Sequence, residues 1–336
     1  MSRILSNTDK THIAKWVGEA QLISIFAHQS PDGDAVGSAL GLANALISMG
    51  KKVKVVLPDA LPAFYYFLQG AHDIVFFHEK PDEVKNIIAQ SDLRFYLDFN
   101  RIDRVGQELA KCLADYTGNS IMIDHHQQPD DVASVLFSDT TFTSTSEMIF
   151  QLLRQMDWMD YLNLPAMEAI YTGVVTDTGS FRFPVVTAET HQMVAFMLER
   201  GLNHAKIHQE VYDTQNFNRL QLTGYALGQK LVYRPEKKLA YITLSQGELN
   251  RFHYQSGDTE GLVNQALSIG GVTMAVFLRE ADEPGIVRCS FRSKGDQDVN
   301  VFARQNWNGG GHKNAAGGKF HGTLDQAIEL LENLTA

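Results

Sequence analysis

The stretch His28-Gln29-Ser30-Pro31-Asp32-Gly33-Asp34 places one imidazole and two carboxylates within seven residues. The apolar segment 21–27 before it predicts a short β-strand, and the small apolar segment 35–49 after it predicts an α-helix. The polar stretch then lies on a strand-to-helix turn, where an open α/β sheet binds its ligands. Carboxylate oxygens with an imidazole suit a divalent ion such as manganese, zinc or iron. The alternative is an Asx turn in which Asp32 or Asp34 caps the helix.

Two further predicted strands end on the same types of side chain. Segment 95–97 leads to Asp98, and segment 120–123 leads to Asp124-His125-His126. Because the carboxyl ends of parallel strands share one edge of a sheet, these groups are expected to converge in one crevice. Asp177 closes a later apolar run and adds a further carboxylate. The convergence favours a functional site over several unrelated strand caps.

The chain therefore offers more metal ligands than one ion needs. The candidates are His28, Asp32, Asp34, Asp98, His125 and Asp177. Two ions roughly 3.5–4 Å apart, bridged by a carboxylate, would use such a set and would favour hydrolysis of a phosphate ester or anhydride. Neighbouring residues at a strand end point in different directions. We therefore expect His125 to bind metal, Asp124 to orient an imidazole or a ligand, and His126 to face the substrate.

A second motif is Gly309-Gly310-Gly311-His312-Lys313-Asn314-Ala315-Ala316-Gly317. Consecutive glycines such as Gly310 and Gly311 let backbone N–H groups approach an anion closely, and His312 adds a donor beside them. A flexible loop before a final strand is the alternative explanation.

Arginines near these motifs are candidate phosphate ligands. Arg292-Ser293 follows a predicted strand, and arginine suits bidentate phosphate binding, although a solvated strand end has the same sequence pattern. Arg104 lies just after Asp98 and is either a phosphate contact or an ordinary surface charge.

The length of 336 residues and the order of the predicted elements indicate two domains. Short strands alternate with helices up to about residue 190, which predicts an α/β domain with a doubly wound, mostly parallel sheet over 1–190. The segment 191–230 is predicted as a helical linker. Alternating strand patterns after it predict a smaller α+β C-terminal domain over 231–336.

Composition excludes several classes of function. A formal charge of −10 argues against a protein that coats nucleic acid, but it allows a short nucleotide in a local basic pocket. Cys112 and Cys289 are too few for a disulfide framework or a Cys-rich zinc site. The sequence has no stretch near the ~18 apolar residues of a membrane span. We expect a soluble, cytoplasmic chain with no membrane partner, and a homodimer is one assembly that the sequence allows.

The ordered set of motifs resembles the DHH phosphoesterase superfamily. The resemblance rests on His28-Xaa-Xaa-Xaa-Asp32-Gly33-Asp34, Asp98, Asp124-His125-His126 and Asp177. The Gly-Gly-Gly-His segment with its Ala-Ala-Gly resembles the associated DHHA1 substrate-binding domain. The chain is similar to the two-domain NrnA-like group, which contains oligoribonucleases (nanoRNases) and 3′-phosphoadenosine-5′-phosphate (pAp) phosphatases.

The resemblance implies a centre of two divalent ions, with manganese expected. It assigns His28, Asp32 and Asp98 to one ion, and Asp34, Asp98, His125 and Asp177 to the other. It implies that His126 contacts the scissile phosphate, and that Arg292 and His312 grip a substrate phosphate or nucleotide. The implied substrates are short RNA or DNA oligonucleotides cleaved to 5′-mononucleotides, nucleoside bisphosphates such as pAp, and linear dinucleotides such as pApA.

Two other functions are compatible with parts of the pattern. An inorganic pyrophosphatase or exopolyphosphatase would use the same metal cage, but the segment 309–317 and the moderate number of basic residues favour a nucleotide. A nucleotide-binding sensor without catalysis would require a broken ligand set, and the set is intact in this sequence.

Overall fold

The computed structural model describes residues 4–114 and 118–335, which fall into two units, Met1–Thr214 and Gln215–Ala336. The strands of the first unit are β1 (Ile23–Phe26), β2 (Val53–Leu57), β3 (Val75–Phe76), β4 (Leu93–Leu97), β5 (Asn119–Asp124) and β6 (Val135–Ser138). Its α-helices are α1 (Asn7–Glu19), α2 (Gly33–Ser48), α3 (Pro81–Gln90), α4 (Gln107–Ala114), α5 (Thr145–Gln155), α6 (Leu164–Asp177), α7 (Ala188–Glu199) and α8 (His204–Tyr212). Short 3₁₀ helices cover Ala63–Tyr65, Ala71–Asp73, Ile102–Val105 and Met159–Tyr161.

The strands of the first unit form one all-parallel sheet in the order β3-β2-β1-β4-β5-β6. This confirms the predicted doubly wound α/β sheet. The strands β1 and β4 are buried along their whole length, as expected when helices cover both faces of a parallel sheet. The strand order reverses between β1 and β4, and the crevice at such a point is where open α/β sheets bind ligands.

Some elements of this unit differ from the prediction. The strand β3 has only two residues, too few for a periodic signal, and α3 was not predicted. In the segment 61–68 only Ala63–Tyr65 is helical, as a 3₁₀ turn after Pro62. The apolar side chains Leu61, Tyr65 and Leu68 of this segment are nevertheless buried and add to the core.

The helices α2 and α6 pack closely against each other at the sheet. A Cβ atom at Gly37 of α2 would lie 2.6 Å from the carbonyl oxygen of Ala169 in α6, so only glycine permits this approach. The polar end of α2 begins with Gly33 and Asp34, and α6 ends on Asp177. Close packing of the two helices therefore brings these two carboxylates to the same edge of the sheet.

The second unit is an α+β domain, as predicted. Its strands are β7 (Leu231–Arg234), β8 (Leu239–Leu244), β9 (Met274–Glu280), β10 (Ile286–Ser293), β11 (Gly310–His312) and β12 (Ala315–His321). Its α-helices are α9 (Phe217–Tyr225), α10 (Gln246–Arg251), α11 (Leu262–Leu267), α12 (Val299–Asn306) and α13 (Leu324–Leu334), with a π-helical turn at Ala226–Lys230 and a 3₁₀ turn at Pro235–Lys237. The sheet order is β11-β12-β10-β9-β8-β7, and only the pair β8–β9 is parallel.

The strand β8 is buried on both faces rather than on alternate residues. Leu239 and Tyr241 pack into the core cluster that contains α12 and α13, whereas Ala240 and Ile242 pack into the cluster that contains α11. The half-exposed pattern predicted for this strand is therefore wrong, because the sheet carries helices on both sides at this point.

The segment 191–230, predicted as a helical linker, is divided between the two units at residues 214 and 215. Met197 and Ile207 pack into the core of the first unit, and Leu222 packs into a core cluster of the second. Gly201 ends α7 with a positive φ of 91° as expected, but Gly224 lies within α9. Across the described ranges, no helix has the length and apolar character to span a bilayer.

Candidate metal centre

Three neighbouring strands of the first unit deliver polar side chains to one edge of the sheet. His28 follows β1 by two residues, Asp98 directly follows β4, and Asp124 ends β5. All three are at least 95% buried, although they are ionisable. Buried charges need partners or a metal ion. The structure therefore places the predicted groups where a metal ion would balance their charge.

The first group of potential ligands surrounds the imidazole of His28. Its Nε2 lies 3.3 Å from Asp98 Oδ2 and 3.6 Å from Asp32 Oδ1. Asp32 is the N-cap of α2, and its Oδ1 accepts hydrogen bonds from the N–H groups of Asp34 and Ala35. Asp32 therefore caps α2, which was the alternative explanation, and it also lies beside a potential metal ligand.

The second group surrounds His125. Its Nε2 lies 3.6 Å from Asp34 Oδ2, 3.6 Å from Asp98 Oδ1 and 3.5 Å from Asp177 Oδ2. Asp34, His125 and Asp177 offer ligand atoms that all lie within 4.8 Å of one another, as do those of His28, Asp32 and Asp98. The structure therefore brings together all six side chains predicted as ligands.

Asp98 is common to both groups. One of its carboxylate oxygens faces His28, and the other faces His125. Its φ of 60° lies in the left-handed region, which Asp tolerates better than most residues and which recurs at functional sites. This backbone geometry turns the carboxylate between the two imidazoles, where a bridging ligand would stand.

The orientations of the two imidazoles fit metal ligation. His28 Nδ1 lies 2.9 Å from the carbonyl oxygen of Gln29, and His125 Nδ1 lies 3.4 Å from that of Phe142. A carbonyl oxygen accepts only when Nδ1 carries the hydrogen, so each Nε2 faces the carboxylates and, once deprotonated, would offer its lone pair to an ion between them. Among the described residues, none makes a hydrogen bond to the buried His28 Nε2. A cation between the groups would fill this position.

The charges of the site also call for a cation. Burial, and then the negative charges of Asp98 and Asp177, raise the pKa of Asp34 well above its ordinary value. Burial opposes the charged form of His28, but the charge of Asp32 and the hydrogen bonds to Asp32 and Asp98 together outweigh it and raise the pKa of His28 to about 10. Both shifts compensate for excess negative charge, and divalent cations would provide the same compensation.

Asp124 holds His126 rather than facing the metal groups. Asp124 Oδ1 lies 2.8 Å from His126 Nδ1, and Oδ2 accepts a hydrogen bond of 3.0 Å from the His126 backbone N–H. Burial, and then the positive charge of Arg104, lower the pKa of His126 well below its ordinary value. Two contacts with Asp124 thus fix the orientation of the His126 imidazole beside the cage, and its contact with the substrate stays a prediction.

Arg104 and Arg101, which both follow Asp98 in the chain, have different surroundings. The charge of Arg104 acts on His28 and His126, so this arginine lies close to the cage. Arg101 is exposed and pairs with Asp103 at 2.9 Å. The phosphate-contact interpretation therefore suits Arg104, and the surface-charge interpretation suits Arg101.

Residues at the start of α5 complete the site and were not predicted. The backbone N–H groups of Thr145 and Ser146 donate to the two oxygens of Asp34 at 2.6 and 2.8 Å. The Thr145 hydroxyl donates to Asp98 Oδ1 at 3.0 Å. The sequence signal for them is the Thr/Ser-rich segment 140–146 before an apolar helix, which indicates a helix N-terminus that can bind a carboxylate.

The substrate-binding residues predicted for the second unit share one part of its sheet. His312 of β11 and Arg292 of β10 flank Ala315 of β12 in the same cross-strand row. Ser293 is buried, and its hydroxyl donates to the carbonyl of Gln297 at 2.6 Å, so it also supports the local fold. Their role in substrate binding stays a prediction.

The glycine segment forms a hairpin, rather than the predicted nest or the alternative flexible loop. Gly310 and Gly311 lie in β11, and the N–H of Gly311 donates to Asn300 Oδ1 at 3.0 Å, so the expected open nest of N–H groups is wrong. A Cβ atom at Gly309 would collide with the carbonyl of Gly317. Close approach of two backbones is therefore what requires glycine here.

Comparisons with known proteins agree with the two-unit fold described above. The DHH family, N-terminal domain, matches residues 22–174, and the DHHA1 domain matches residues 236–336. The bifunctional oligoribonuclease and PAP phosphatase NrnA of Bacillus subtilis is 29% identical over 332 residues, which cover 97% of each chain. The protein of the same name from Thermus thermophilus is 30% identical and covers 91% of this chain and 87% of its own.

A solved structure is also similar over the whole length. It is an exopolyphosphatase-related protein from Bacteroides fragilis, with a TM-score of 0.92 and 36% identity, covering 100% of this chain and 97% of that one. The first unit and the second unit thus each have counterparts of known architecture.

Proposed function

This chain belongs to the DHH family of phosphoesterases, and from that membership we propose that it is a metal-dependent hydrolase of short oligonucleotides and small nucleotides. Membership of this family identifies the chain as a phosphoric ester hydrolase. The observation that carries the finer proposal is the buried cage in which Asp98 stands between His28 and His125. The names of the NrnA relatives support oligoribonucleotides and pAp as substrates.

We propose that the cage holds two divalent ions, with manganese favoured by its mixed oxygen and imidazole ligands. One ion would be held by His28, Asp32 and Asp98, and the other by Asp34, Asp98, His125 and Asp177. When bound, such a pair lowers the pKa of a water molecule and offsets the negative charge of a phosphoryl group.

The protein groups around the cage orient the reacting atoms. The N–H groups of α5 fix the carboxylate of Asp34, so that its oxygens keep one direction. Asp124 fixes His126 at two points, and we propose that the imidazole then contacts a non-bridging oxygen of the scissile phosphate. Arg104 supplies positive charge on the same side for a second phosphate oxygen.

A substrate panel tests the proposal directly. The protein is assayed with Mn²⁺ on a ribodinucleotide, pAp, pApA and pyrophosphate, and the release of mononucleotide and orthophosphate is measured. We expect turnover of nucleotide substrates and weak or no turnover of pyrophosphate. Hydrolysis of pyrophosphate alone would refute the nucleotide proposal.

A matched pair of substitutions tests the cage. Asp98→Asn removes the shared carboxylate charge, and Asp103→Asn removes the charge of an exposed carboxylate five residues away. We expect the first to lower kcat at least ~10³-fold, in line with loss of a metal-ligand charge, and the second to leave it unchanged. Full activity of the Asp98→Asn protein would refute the metal assignment.

A second candidate function has one specific observation in its favour. The Bacteroides fragilis structure, which is 36% identical, is titled exopolyphosphatase-related. The two activities differ in what is released, because polyphosphate yields only orthophosphate. Comparing kcat/KM for a ribodinucleotide and for a short polyphosphate in the same buffer distinguishes them.

A further inference from the structure

One face of the second unit's sheet carries a row of three positive side chains. In the antiparallel ladder, Arg288 of β10 lies directly opposite Arg279 of β9 and directly opposite Lys319 of β12. Directly paired residues point to the same face, so these three side chains stand side by side on neighbouring strands about 4.8 Å apart. We call Arg279, Arg288 and Lys319 the cationic row.

The face that carries the cationic row is the one opposite α12 and α13. Val287, Cys289 and Phe291, which alternate with Arg288, are buried in the core cluster that contains Trp307 of α12. Arg288 is half-buried, and Lys319 is exposed. Arg279 is also half-buried, and Ala275 and Phe277 on the same face are buried in the cluster that contains α11. Lys319 is thus fully accessible and the two arginines are partly accessible, while a packed sheet fixes the backbone of the row.

Like charges directly opposite each other destabilise a sheet, so a row of three carries a cost in stability. None of the residues of β9–β12 on this face is acidic, although the charge of Asp282, just after β9, acts on Arg279. These residues are Ala275, Phe277, Arg279, Ile286, Arg288, Ser290, Arg292, Gly310, His312, Ala315, Gly317, Lys319 and His321. Arg279 is held against the ring of Tyr254, with 5.2 Å between its guanidinium carbon and the ring centroid. Such a concentration of positive charge on a rigid support suits an anionic ligand.

The position of the cationic row indicates which kind of anion it suits. Arg288 lies four residues from Arg292 on the same strand and face, which is about 14 Å at ~3.4 Å per residue. One phosphate cannot contact both places. Between them Ser290 and Gly317 are paired and form a floor of small residues. Two positive sites with a smooth floor between them match a chain of several phosphates, as in a single-stranded nucleic acid.

We propose that the cationic row binds a second backbone phosphate of oligonucleotides longer than a dinucleotide, and thereby sets the preferred substrate length. This inference rests on the proposed function, since it assumes that Arg292 and His312 meet the first phosphate. The row contributes to binding and not to the chemical step. Dinucleotides and pAp are too short to reach it.

Substitutions on two strands of the row test the proposal. Lys319→Gln removes an exposed charge, and Arg288→Gln removes the central one, while Lys206→Gln on α8 is a matched control for the loss of one positive charge. Fluorescently labelled di- and tetraadenylate are bound without divalent metal, and KM is measured for both with Mn²⁺. We expect each row variant to bind tetraadenylate about tenfold more weakly, as loss of one charged contact predicts, and diadenylate within twofold of the native protein.

Salt dependence and stability provide independent measurements. The slope of log binding constant against log salt for tetraadenylate should decrease by about 0.7 for each lost phosphate contact. The Tm of Lys319→Gln should stay the same or rise, because a like-charge contact is removed. Equal losses for both lengths, or no loss for tetraadenylate, would overturn the proposal.

The two proposals fail in different ways. If the native protein hydrolyses neither oligonucleotide, the proposed function is wrong, and the metal-free binding experiment still tests the row. If the native protein hydrolyses diadenylate, and the row variants bind and hydrolyse tetraadenylate as the native protein does, only the proposed role of the cationic row in setting substrate length is wrong.

Discussion

Thr145 contacts Asp34 through its backbone N–H and Asp98 through its hydroxyl, and removal of the hydroxyl has a calculable effect. Thr145→Val keeps the backbone N–H that donates to Asp34 and keeps the branched shape, but it deletes the donor to Asp98 at 3.0 Å. Both Thr145 and Asp98 are almost completely buried, so water cannot replace the donor. A lost hydrogen bond to a buried charged group costs about 1.5–3 kcal/mol.

This loss should appear in metal binding, because the hydroxyl orients a carboxylate that both proposed ions share. Groups that orient a metal ligand typically change affinity by about 10–100-fold when they are removed. Isothermal titration with Mn²⁺ measures the affinity of the native protein, Thr145→Val and Thr145→Ser. The serine variant retains both donors and should bind within about threefold of the native protein.

The alternative is that Thr145 only caps the fold. In that case Thr145→Val would lower the Tm but leave the Mn²⁺ affinity within about threefold of native. Equal Mn²⁺ affinities of Thr145→Val and Thr145→Ser, whether lowered or unchanged, would also contradict the prediction, because only the serine variant keeps the hydroxyl.

Three other substitutions have defined expected outcomes. Asp124→Asn should lower kcat without weakening Mn²⁺ binding by more than about threefold, because Asp124 holds His126 and not a metal ligand; weaker metal binding with unchanged kcat would contradict this. Gly173→Ala should destabilise the protein by about 1–3 kcal/mol in urea unfolding, since its Cβ would collide with Ser146 Oγ and would lie 2.9 Å from Asp34 Oδ1; unchanged stability would show that Ser146 or α6 can shift. Burial raises the pKa of Glu248, but its hydrogen-bonded partners lower it to about 2, so it stabilises the fold above its ordinary pKa of 4.5, and this stabilisation is lost as the pH falls towards 2. Glu248→Gln should be less stable than native near pH 7 and should converge with it near pH 2 in acid-unfolding measurements; a constant difference would refute the assignment.

The sequence predicted the positions of the cage residues well because the relevant signals are local. Each of the clusters beginning at His28, Asp98 and Asp124 starts within two residues of the end of a short apolar strand, and the parallel order of β1, β4 and β5 then makes these ends adjacent. A period-2 or continuous apolar pattern identifies such strands without knowledge of the rest of the chain.

Contacts between distant segments could not be predicted in this way. Thr145 meets Asp34 across 111 residues through its backbone N–H, which has no side-chain signature. The hairpin at Gly310 is similar, because the ladder with β12 and the acceptor on Asn300 decide its conformation. Glycines in a row fit a nest, a loop or a strand equally well until the partner strand is known.

The way in which the cage is held together explains why it suits a cation. Asp34 is neutralised in part by two N–H groups at the start of α5, where a helix contributes about half a positive charge. That is less than the charge of one carboxylate, and burial together with the nearby charges of Asp98 and Asp177 keeps the pKa of Asp34 raised. A lysine or arginine in this position would have balanced the charge permanently and would have filled the space. Backbone donors fix the oxygens without filling it, and the remaining charge is left for an ion to balance.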